Sequence, residues 1–400
     1  MPIAADLEAA ARFGGEGTGV TRFAWSPELA AASEWLCGRL RELGLSAEID
    51  AAGNVLGKWE AGFGTAVLLG SHLDTVPRGG RYDGALGVVA ALAAIRRLKE
   101  AGIEPSRPVW LASFMDEEGS RFRTGMLGSR AFAGDDLSDL GERRDGDGVS
   151  VRDAMAERGF DFDHIAEARA IDRVGAYLEL HIEQGPRLEQ AGLDVGIVTG
   201  IVGIASYRAR FRGEANHAGT TPMELRRDAL AGAARAVLAL RDEARARDGM
   251  TANVGVIAVE PGGFNVIPGA CEFTIDVRSP TAEGFARAGA FVREMLARIG
   301  VEERLGLELA EEHRLEPVPL DPELISTLEL AAELEGATSL RMPSGAGHDA
   351  MILGRHVPAA MLFVPSRGGI SHSPQEHTDA AHCELGVRVL GRALELLVSG

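Results

Sequence analysis

Cysteine is scarce in this sequence of 400 residues, which contains only Cys37, Cys271 and Cys383 and no CxxC pair. Disulfide-stabilised folds and zinc fingers need several cysteines at short, regular spacings, so neither class of protein is indicated. Isolated thiols are typical of proteins that work under reducing conditions. The cysteine content therefore predicts a cytoplasmic protein.

Long apolar runs and an excess of basic residues are also missing. No stretch approaches the roughly eighteen apolar residues that a membrane-spanning helix needs. The first residues, MPIAADLEAAARFGG, lack the basic start and long apolar core of a signal peptide. The formal net charge of -18 at pH 7 argues against nucleic acid or an anionic membrane as a partner. A small anionic substrate remains compatible with this charge, because the local field of a binding site overrides the net charge.

The length and the 46% hydrophobic content are enough for two domains with buried cores. Apolar runs at 66–70, 109–114 and 176–180 predict buried strands. Helical spacing of apolar residues, with Ser26 and Gly44 as start and stop signals, predicts a helix over 26–44, and a second helix is predicted over 84–101. Alternating strands and helices predict a mainly parallel sheet with helices on both faces.

The pattern changes from about residue 203 and changes back near residue 319. Between these points the predicted order is β-α-β-β-α-β, which is typical of a ferredoxin-like α+β domain. The elements are a strand in SYRARFRGEA, a helix at 226–247, strands at 252–260 and 270–277, a helix at 281–299 and a strand near 304–309. A helix at 322–335 and apolar runs near 338–341 and 359–364 then resume the first pattern. We expect an α/β domain of residues 1–205 and 319–400, interrupted by a smaller domain of residues 206–318.

Nitrogen and carboxylate donors follow four of the predicted strands, and a further carboxylate lies in a glycine-rich turn. In open α/β sheets ligands bind beyond the carboxyl ends of the strands, so these side chains are expected to converge. The donors lie in GSHLDTVPRGGRYDG (His72, Asp83), MDEEGS (Asp116, Glu117, Glu118), LELHIEQGP (His181) and GGISHSPQEHT (His372).

This set of donors suits zinc, manganese, cobalt or nickel. Three histidines and two carboxylates are too many for one catalytic metal that keeps an open position. They fit two metals that share a bridging carboxylate, about 3.5–4 Å apart. A lone histidine beside a strand is ordinarily structural, and a Glu-Glu pair after a strand is ordinarily a solvated turn. The prediction therefore depends on the coincidence of all these segments.

At the level of whole motifs, the chain resembles the M20 metallopeptidase and deacylase clan. Within the clan it resembles the amidohydrolases that cleave N-carbamoyl groups, namely N-carbamoyl-L-amino acid hydrolases, β-ureidopropionases and allantoate amidohydrolases. The resemblance covers essentially the whole chain. The matching segments are GSHLDTVPRGGRYDGALGV, MDEEGSRFRTGMLGSRA, LELHIEQGP, VTGIVG, GEANHAGTTPMELRRDAL, PGGFNVIPG, SGAGHDAM and GISHSP.

The resemblance implies a centre of two divalent metal ions, with zinc favoured and manganese, cobalt or nickel as alternatives. Glu117 is implied as the general base, because it neighbours a ligand without being one. Asp74 is implied to orient the imidazole of His72 through its carboxylate. The implied metal ligands are His72, Asp83 as the bridge, Glu118, His181 and His372.

Further residues are implied to bind the substrate. His217, which by itself would be interpreted as a surface-loop histidine, is implied to stabilise an oxyanion in the active site of a partner subunit. This role implies a homodimer formed through the inserted domain, which would also act as a lid. Asn265 and Arg278 resemble a clamp for the substrate carboxylate. Contacts with the substrate are also expected from Gln184, Gly345 and His348.

The implied reaction is hydrolysis of the carbamoyl (ureido) C–N bond of an N-carbamoyl-amino acid or a related ureido acid such as allantoate. The products would be the amine, ammonia and CO2, and the partner is thus a small anionic ureido acid. One alternative is an M20-type dipeptidase or N-acyl amino acid deacylase. A second alternative is a non-catalytic metal- or solute-binding protein. HIEQGP and NHAGTTPM favour the carbamoyl branch, and an intact Glu117 argues against a degenerate site.

Overall fold

The structure, a computed structural model, describes residues 3–14 and 17–399. It divides into two compact units, one up to Thr199 and from Leu320 onward, the other Gly200–Pro319. The strands of the described residues are β1 (Ser46–Ile49), β2 (Val55–Trp59), β3 (Ala66–His72), β4 (Val109–Phe114), β5 (Val174–Ile182), β6 (Val195–Ile201), β7 (Gly203–Arg212), β8 (Thr251–Asn253), β9 (Ile257–Glu260), β10 (Ala270–Ser279), β11 (Gly306–Leu315), β12 (Val318–Pro319), β13 (Ser339–Ser344) and β14 (Ala359–Val364). The α-helices are α1 (Ile3–Ala11), α2 (Pro27–Glu42), α3 (Ala85–Glu100), α4 (Leu127–Ala133), α5 (Val151–Ala156), α6 (Arg187–Ala191), α7 (Ala229–Ala246), α8 (Ala282–Glu302), α9 (Pro322–Leu334), α10 (Asp349–Leu353) and α11 (Ala380–Val398).

The larger sheet has the order β1-β2-β4-β3-β5-β14-β6-β12, with β13 also pairing with β6. All of it except β12 and the last two residues of β6 lies in the first unit. Its four central strands, β4, β3, β5 and β14, run parallel. Antiparallel strands flank them at both edges. Every residue of β3, β4 and β14 is buried, as expected for parallel strands with both faces covered. The predicted α/β class with a mainly parallel central sheet is confirmed.

The second unit contains a smaller sheet in the order β11-β7-β10-β8, with β9 also pairing with β10. Strand β10 pairs antiparallel with β7, β8 and β9, and β11 pairs antiparallel with β7. Buried residues alternate along β7 and β10, and helices α7 and α8 pack on this sheet. The predicted separate α+β sheet is thus present. The strand predicted over 252–260 forms two short strands instead, because Asn253 pairs with Asp276 and Ile257 with Phe273, so three intervening residues face two.

Within residues 3–14 and 17–399, none of the helices combines the length and the apolar character needed to cross a lipid bilayer.

The four parallel strands determine where the polar side chains of the first unit gather. Because these strands run in the same direction, their carboxyl ends lie along one edge of the sheet. Strand β3 ends at His72, and β5 ends one residue after His181. The segment with Glu117 and Glu118 follows the end of β4, and the loop with His372 follows β14.

Candidate metal centre

Two groups of possible metal ligands share the carboxylate of Asp83. The first consists of His72, Asp83 and His181, and the second of Asp83, Glu118 and His372; within each group the candidate ligand atoms all lie within 4.8 Å of one another. The five residues that the sequence analysis named as ligands are thus brought together.

Asp83 presents one oxygen to each group. Its Oδ1 lies 3.9 Å from Nε2 of His72 and 3.2 Å from Nε2 of His181. Its Oδ2 lies 3.2 Å from Nε2 of His372, which in turn is 3.6 Å from Oε2 of Glu118. This is the arrangement that a carboxylate bridging two cations requires.

The two buried imidazoles are oriented by backbone carbonyls. Nδ1 of His72 lies 3.0 Å from the carbonyl oxygen of Asp74, and Nδ1 of His181 lies 2.9 Å from the carbonyl oxygen of Ile182. With the proton on Nδ1, each ring donates to its carbonyl and keeps the Nε2 lone pair toward Asp83. A Cβ at position 84, where φ is +62°, would lie 2.3 Å from Cε1 of His72, so glycine is needed for this packing.

The carboxylate of Asp74 does something different from what was expected. It lies 3.7 Å from Nδ1 of His72, too far for a hydrogen bond. Its two oxygens accept the backbone N–H groups of Glu117, at 3.2 Å, and Glu118, at 3.1 Å. Asp74 therefore orients His72 through its backbone and holds the Glu117-Glu118 segment through its side chain.

Glu117 lies beside the first group without belonging to either. Its Oε2 is 3.6 Å from Nε2 of His72, and its side chain is only 9% exposed. Burial, with repulsion from Asp349 and Glu118, raises the pKa of Glu117 well above its ordinary range. It is placed to exchange a proton with a group held at the centre.

The charges of the centre fit a divalent cation. Burial and the nearby Asp83 raise the pKa of Glu118 to about 8, and Glu118 Oε1 is buried without a hydrogen-bond partner among the described residues. Burial opposes ionisation of Asp83, but without a metal, protonated imidazoles of His181 and His372 donate hydrogen bonds to it and hold its pKa well below the ordinary range. Facing imidazole nitrogens and buried carboxylate oxygens are the donor set that binds divalent transition metals. These residues therefore fit a divalent metal.

Two other predicted residues of the first unit, Gln184 and His348, adjoin the donor residues. Nε2 of Gln184 donates to Oδ2 of Asp83 at 2.9 Å, whereas its Oε1 is buried without a partner in the described structure. His348 is buried, its ring centroid lies 4.5 Å from that of His181, and its Nε2 lies 2.8 Å from Oγ of Ser344. Gly345 lies in the loop between β13 and His348.

The predicted residues of the second unit occupy two places. His217 forms an isolated bridge with Val266, and Ala218 donates its N–H to the carbonyl of Asn265 at 2.9 Å, so the segments of His217 and Asn265 lie side by side. Both residues are exposed. Arg278 lies eight positions after Ala270 on β10, which is roughly 26 Å along the strand. Within one chain, the structure does not bring Arg278 to the His217–Asn265 pair.

Sequence reasoning missed two polar residues next to the centre. Ser371 donates to the side chain of Asp83, and Glu376 accepts the backbone N–H of Asp83. Both stand in the same loop as His372, but they follow no strand end and show no metal-ligand spacing. Only their closeness in sequence to His372 could have indicated them. Asp349, a weaker candidate in the sequence next to His348, is a fully buried carboxyl that raises the pKa of Glu117.

Comparisons with known proteins place the chain in a family. Residues 68–396 match peptidase family M20/M25/M40. An N-carbamoyl-L-amino-acid amidohydrolase of Paenarthrobacter aurescens is 40% identical, over 99% of this chain and 97% of the relative. An allantoate amidohydrolase of Bacillus subtilis (strain 168) is also 40% identical, over 96% and 94% of the two chains.

Solved structures agree with the sequence comparisons. A hydantoinase/carbamoylase family amidase from Burkholderia multivorans superimposes with a TM-score of 0.91 and 35% identity, over 100% of this chain and 97% of the other. With matching sequence, fold and clustered metal donors, the chain belongs to peptidase family M20/M25/M40.

Proposed function

We propose that this protein is a two-metal amidohydrolase that cleaves the carbamoyl C–N bond of an N-carbamoyl-amino acid or a related ureido acid such as allantoate. The observation that carries the proposal is the pair of donor groups that share Asp83, with Glu117 beside them. His72 and His181 would hold one ion with Asp83, and Glu118 and His372 the other. Zinc is favoured, and manganese, cobalt and nickel share these donors.

When bound, the metals supply Lewis-acid polarisation of the carbonyl and lower the pKa of water toward about 7. A ureido carbonyl needs such help because two nitrogens donate electrons into it. Glu117 removes the proton of the attacking water and delivers it to the departing amine nitrogen. The C–N bond breaks to give the amine and carbamate, which decomposes to ammonia and CO2.

The remaining residues orient the reactants. The backbone N–H groups of Glu117 and Glu118 are fixed by the carboxylate of Asp74. The buried Oε1 of Gln184 is an acceptor suited to an N–H of the ureido group. Asn265 and Arg278 would bind the substrate carboxylate. His348 and Gly345 would contact the bound substrate.

The names of the similar proteins support this substrate class. Relatives at 40% identity are named for N-carbamoyl-L-amino acids and for allantoate, and both kinds cover nearly the whole chain. None of these three relatives is named as a dipeptidase or an N-acyl amino acid deacylase.

We test the proposal with Glu117→Gln and an ammonia-release assay across N-carbamoyl-amino acids, N-carbamoyl-β-alanine and allantoate. The variant keeps the shape of the side chain but cannot accept a proton, so turnover should fall by about 10²–10⁴-fold. Metal content, measured on the same sample, should stay at the wild-type value. N-acyl amino acids are the control substrates. Activity that survives the substitution would refute the role of Glu117, and turnover of acyl substrates alone would refute the substrate class.

We further propose that the second unit is a lid and dimerisation domain and that the protein is a homodimer. This unit carries eight of the fifteen exposed large apolar residues among those described: Met223, Leu225, Leu230, Leu238, Val256, Ile257, Phe264 and Val301. This exceeds the unit's share of the described residues, and exposed apolar side chains supply the contact area of an association surface. A cytoplasmic location is in keeping with the three cysteines, which are buried and unpaired.

A further inference from the structure

Glu376 is a buried carboxylate that belongs to neither donor group. It is 5% exposed, and its Oε1 accepts the backbone N–H groups of Tyr82, at 2.9 Å, and of Asp83, at 3.0 Å. A single oxygen that receives two successive amides fixes the orientation of the peptide between them. This peptide joins Tyr82 to Asp83, the residue whose carboxylate both donor groups share.

The glycine-rich turn before Asp83 is shaped around this carboxylate. A Cβ at Gly80 would lie 2.0 Å from Oε1 of Glu376 and 2.2 Å from its Cδ. Atoms cannot approach so closely, so any side chain at position 80 would displace Glu376 from the two amides. Gly80 is therefore required by Glu376.

The second oxygen of Glu376 reaches the loop of His372. Oγ of Ser371 lies 3.0 Å from Oε2 of Glu376 and 3.0 Å from Oδ2 of Asp83, so its hydroxyl hydrogen can be donated to either carboxylate. Ser371 directly precedes His372, whose side chain is 49% exposed and whose φ is +54°. Because the side chain of His372 is half exposed, packing restrains its position little. Its position depends on the hydrogen bonds of its loop, such as those of Ser371.

The ligands of the two groups differ in how their backbones are held. His72 pairs with Phe114, and His181 pairs with Phe363, within the parallel sheet. Asp83 and His372 lie on loops that are almost 300 positions apart in sequence, and Glu376 contacts both loops. The positions of Asp83 and His372 therefore depend on Glu376. The positions of His72 and His181 are held by the sheet.

We propose that Glu376 is a positioning residue that fixes the bridging carboxylate of Asp83 and joins it to the His372 loop. The inference rests on the proposed two-metal centre. Loss of Glu376 weakens metal binding, and the ion held by Asp83, Glu118 and His372 is lost before the ion held by the strand histidines.

The test compares Glu376→Ala, Glu376→Gln and Gly80→Ala with the wild type. Zinc and manganese affinity and stoichiometry are measured by titration, and hydrogen exchange at Tyr82 and Asp83 is measured in the metal-free proteins. We expect Glu376→Ala and Gly80→Ala to bind metal about 10- to 100-fold more weakly, as is usual for residues that orient ligands. Their amides at 82 and 83 should exchange faster. Glu376→Gln keeps an oxygen for both amides and should retain most of the affinity.

Gln375→Ala is the matched control, because Gln375 is an exposed neighbour on the same loop. If Glu376→Ala does not fold, Ser371→Ala replaces it, since it removes only the hydroxyl between the two carboxylates. Wild-type affinity and exchange in both Glu376→Ala and Gly80→Ala would overturn the proposal. Where Ser371→Ala stands in, wild-type metal affinity in it together with wild-type affinity and exchange in Gly80→Ala would do so. An equal loss in Glu376→Gln would also overturn it, because loss of charge would then explain the result. A wild-type protein that binds fewer than two ions would refute the two-metal centre instead, and the exchange measurement would still judge Glu376.

Discussion

Asp74 differs from the other carboxylates of the centre because both of its oxygens already accept backbone amides. The amides belong to Glu117, the proposed base, and Glu118, a proposed ligand. Asp74 is buried, and loss of its carboxylate would leave both amides without this hydrogen-bond acceptor. The side chain thus acts on the reaction through the position of its neighbours.

Asp74→Asn should therefore lower kcat. Asparagine offers one carbonyl oxygen, and its NH2 group would face an amide N–H, so one of the two hydrogen bonds is replaced by a clash of donors. We expect kcat to fall by about 10- to 100-fold, with a smaller change in KM. Steady-state kinetics of ammonia release measure both constants.

Asp321→Asn is a suitable control for this substitution. Oδ1 of Asp321 also accepts two amides, those of Glu323 and Leu324, but at the start of α9. Its replacement should leave kcat unchanged. A wild-type kcat in Asp74→Asn would show that the segment of Glu117 does not depend on this carboxylate.

Among the residues that the sequence indicated as ligands, His72 and His181 lie at the carboxyl ends of apolar strands, and Glu118 follows shortly after one. His72 and His181 were accessible to this reasoning because the carboxyl ends of parallel strands meet. Glu376 was not, because its role arises from a contact across almost 300 positions of sequence with the amides before and at Asp83. No local pattern records which backbone amides a distant carboxylate will reach.

At the scale of elements, start and stop signals decide how well a helix can be predicted. Helix α2 runs Pro27–Glu42, and Oγ of Ser26 accepts the N–H of Leu29 at 3.2 Å, as expected for the start signal at Ser26. Gly44, with φ of +74°, follows its end. The prediction over 26–44 was therefore accurate to within two residues at each end.

Ser26→Ala should destabilise the protein through this cap. The substitution leaves the N–H of Leu29 without its side-chain acceptor, and we expect the free energy of unfolding to fall by about 1 kcal/mol. Ser26→Asp should retain most of the stability, because aspartate caps helices about as well as serine. Denaturant titration of the wild type, Ser26→Ala and Ser26→Asp measures the free energy of unfolding of each. Equal stabilities of the wild type and Ser26→Ala would mean that Leu29 finds another partner.

Other elements could not be predicted from local pattern. Strands β1 and β2 were not foreseen, because β1 is mostly exposed and β2 is only five residues long and contains a glycine. Strand β6, rich in valine, isoleucine and glycine, pairs antiparallel with β14 and lies where the predicted domain changes. Strands outside the parallel centre of the sheet are defined by their partners, which a single sequence does not reveal.

At the scale of the whole molecule, the positions of the substrate-binding residues in the second unit bear on the proposed homodimer. The segments of His217 and Asn265 lie together next to the start of β10, whereas Arg278 lies near its far end. A small substrate cannot span the roughly 26 Å from Ala270 to Arg278. If all three residues contact one substrate, they must come from two copies of the chain.

A heterodimer of Glu117→Gln and His217→Ala tests this consequence. Each homodimeric variant should be nearly inactive. In the His217→Ala homodimer, kcat should fall by about 10²–10³-fold if His217 stabilises an oxyanion. In the heterodimer, isolated by two different affinity tags, the chain with His217→Ala keeps its own Glu117 and receives the partner subunit's His217. One of the two sites is then complete, so about half of the wild-type activity should return. If His217 instead acts within its own chain, both sites stay incomplete and the heterodimer remains inactive.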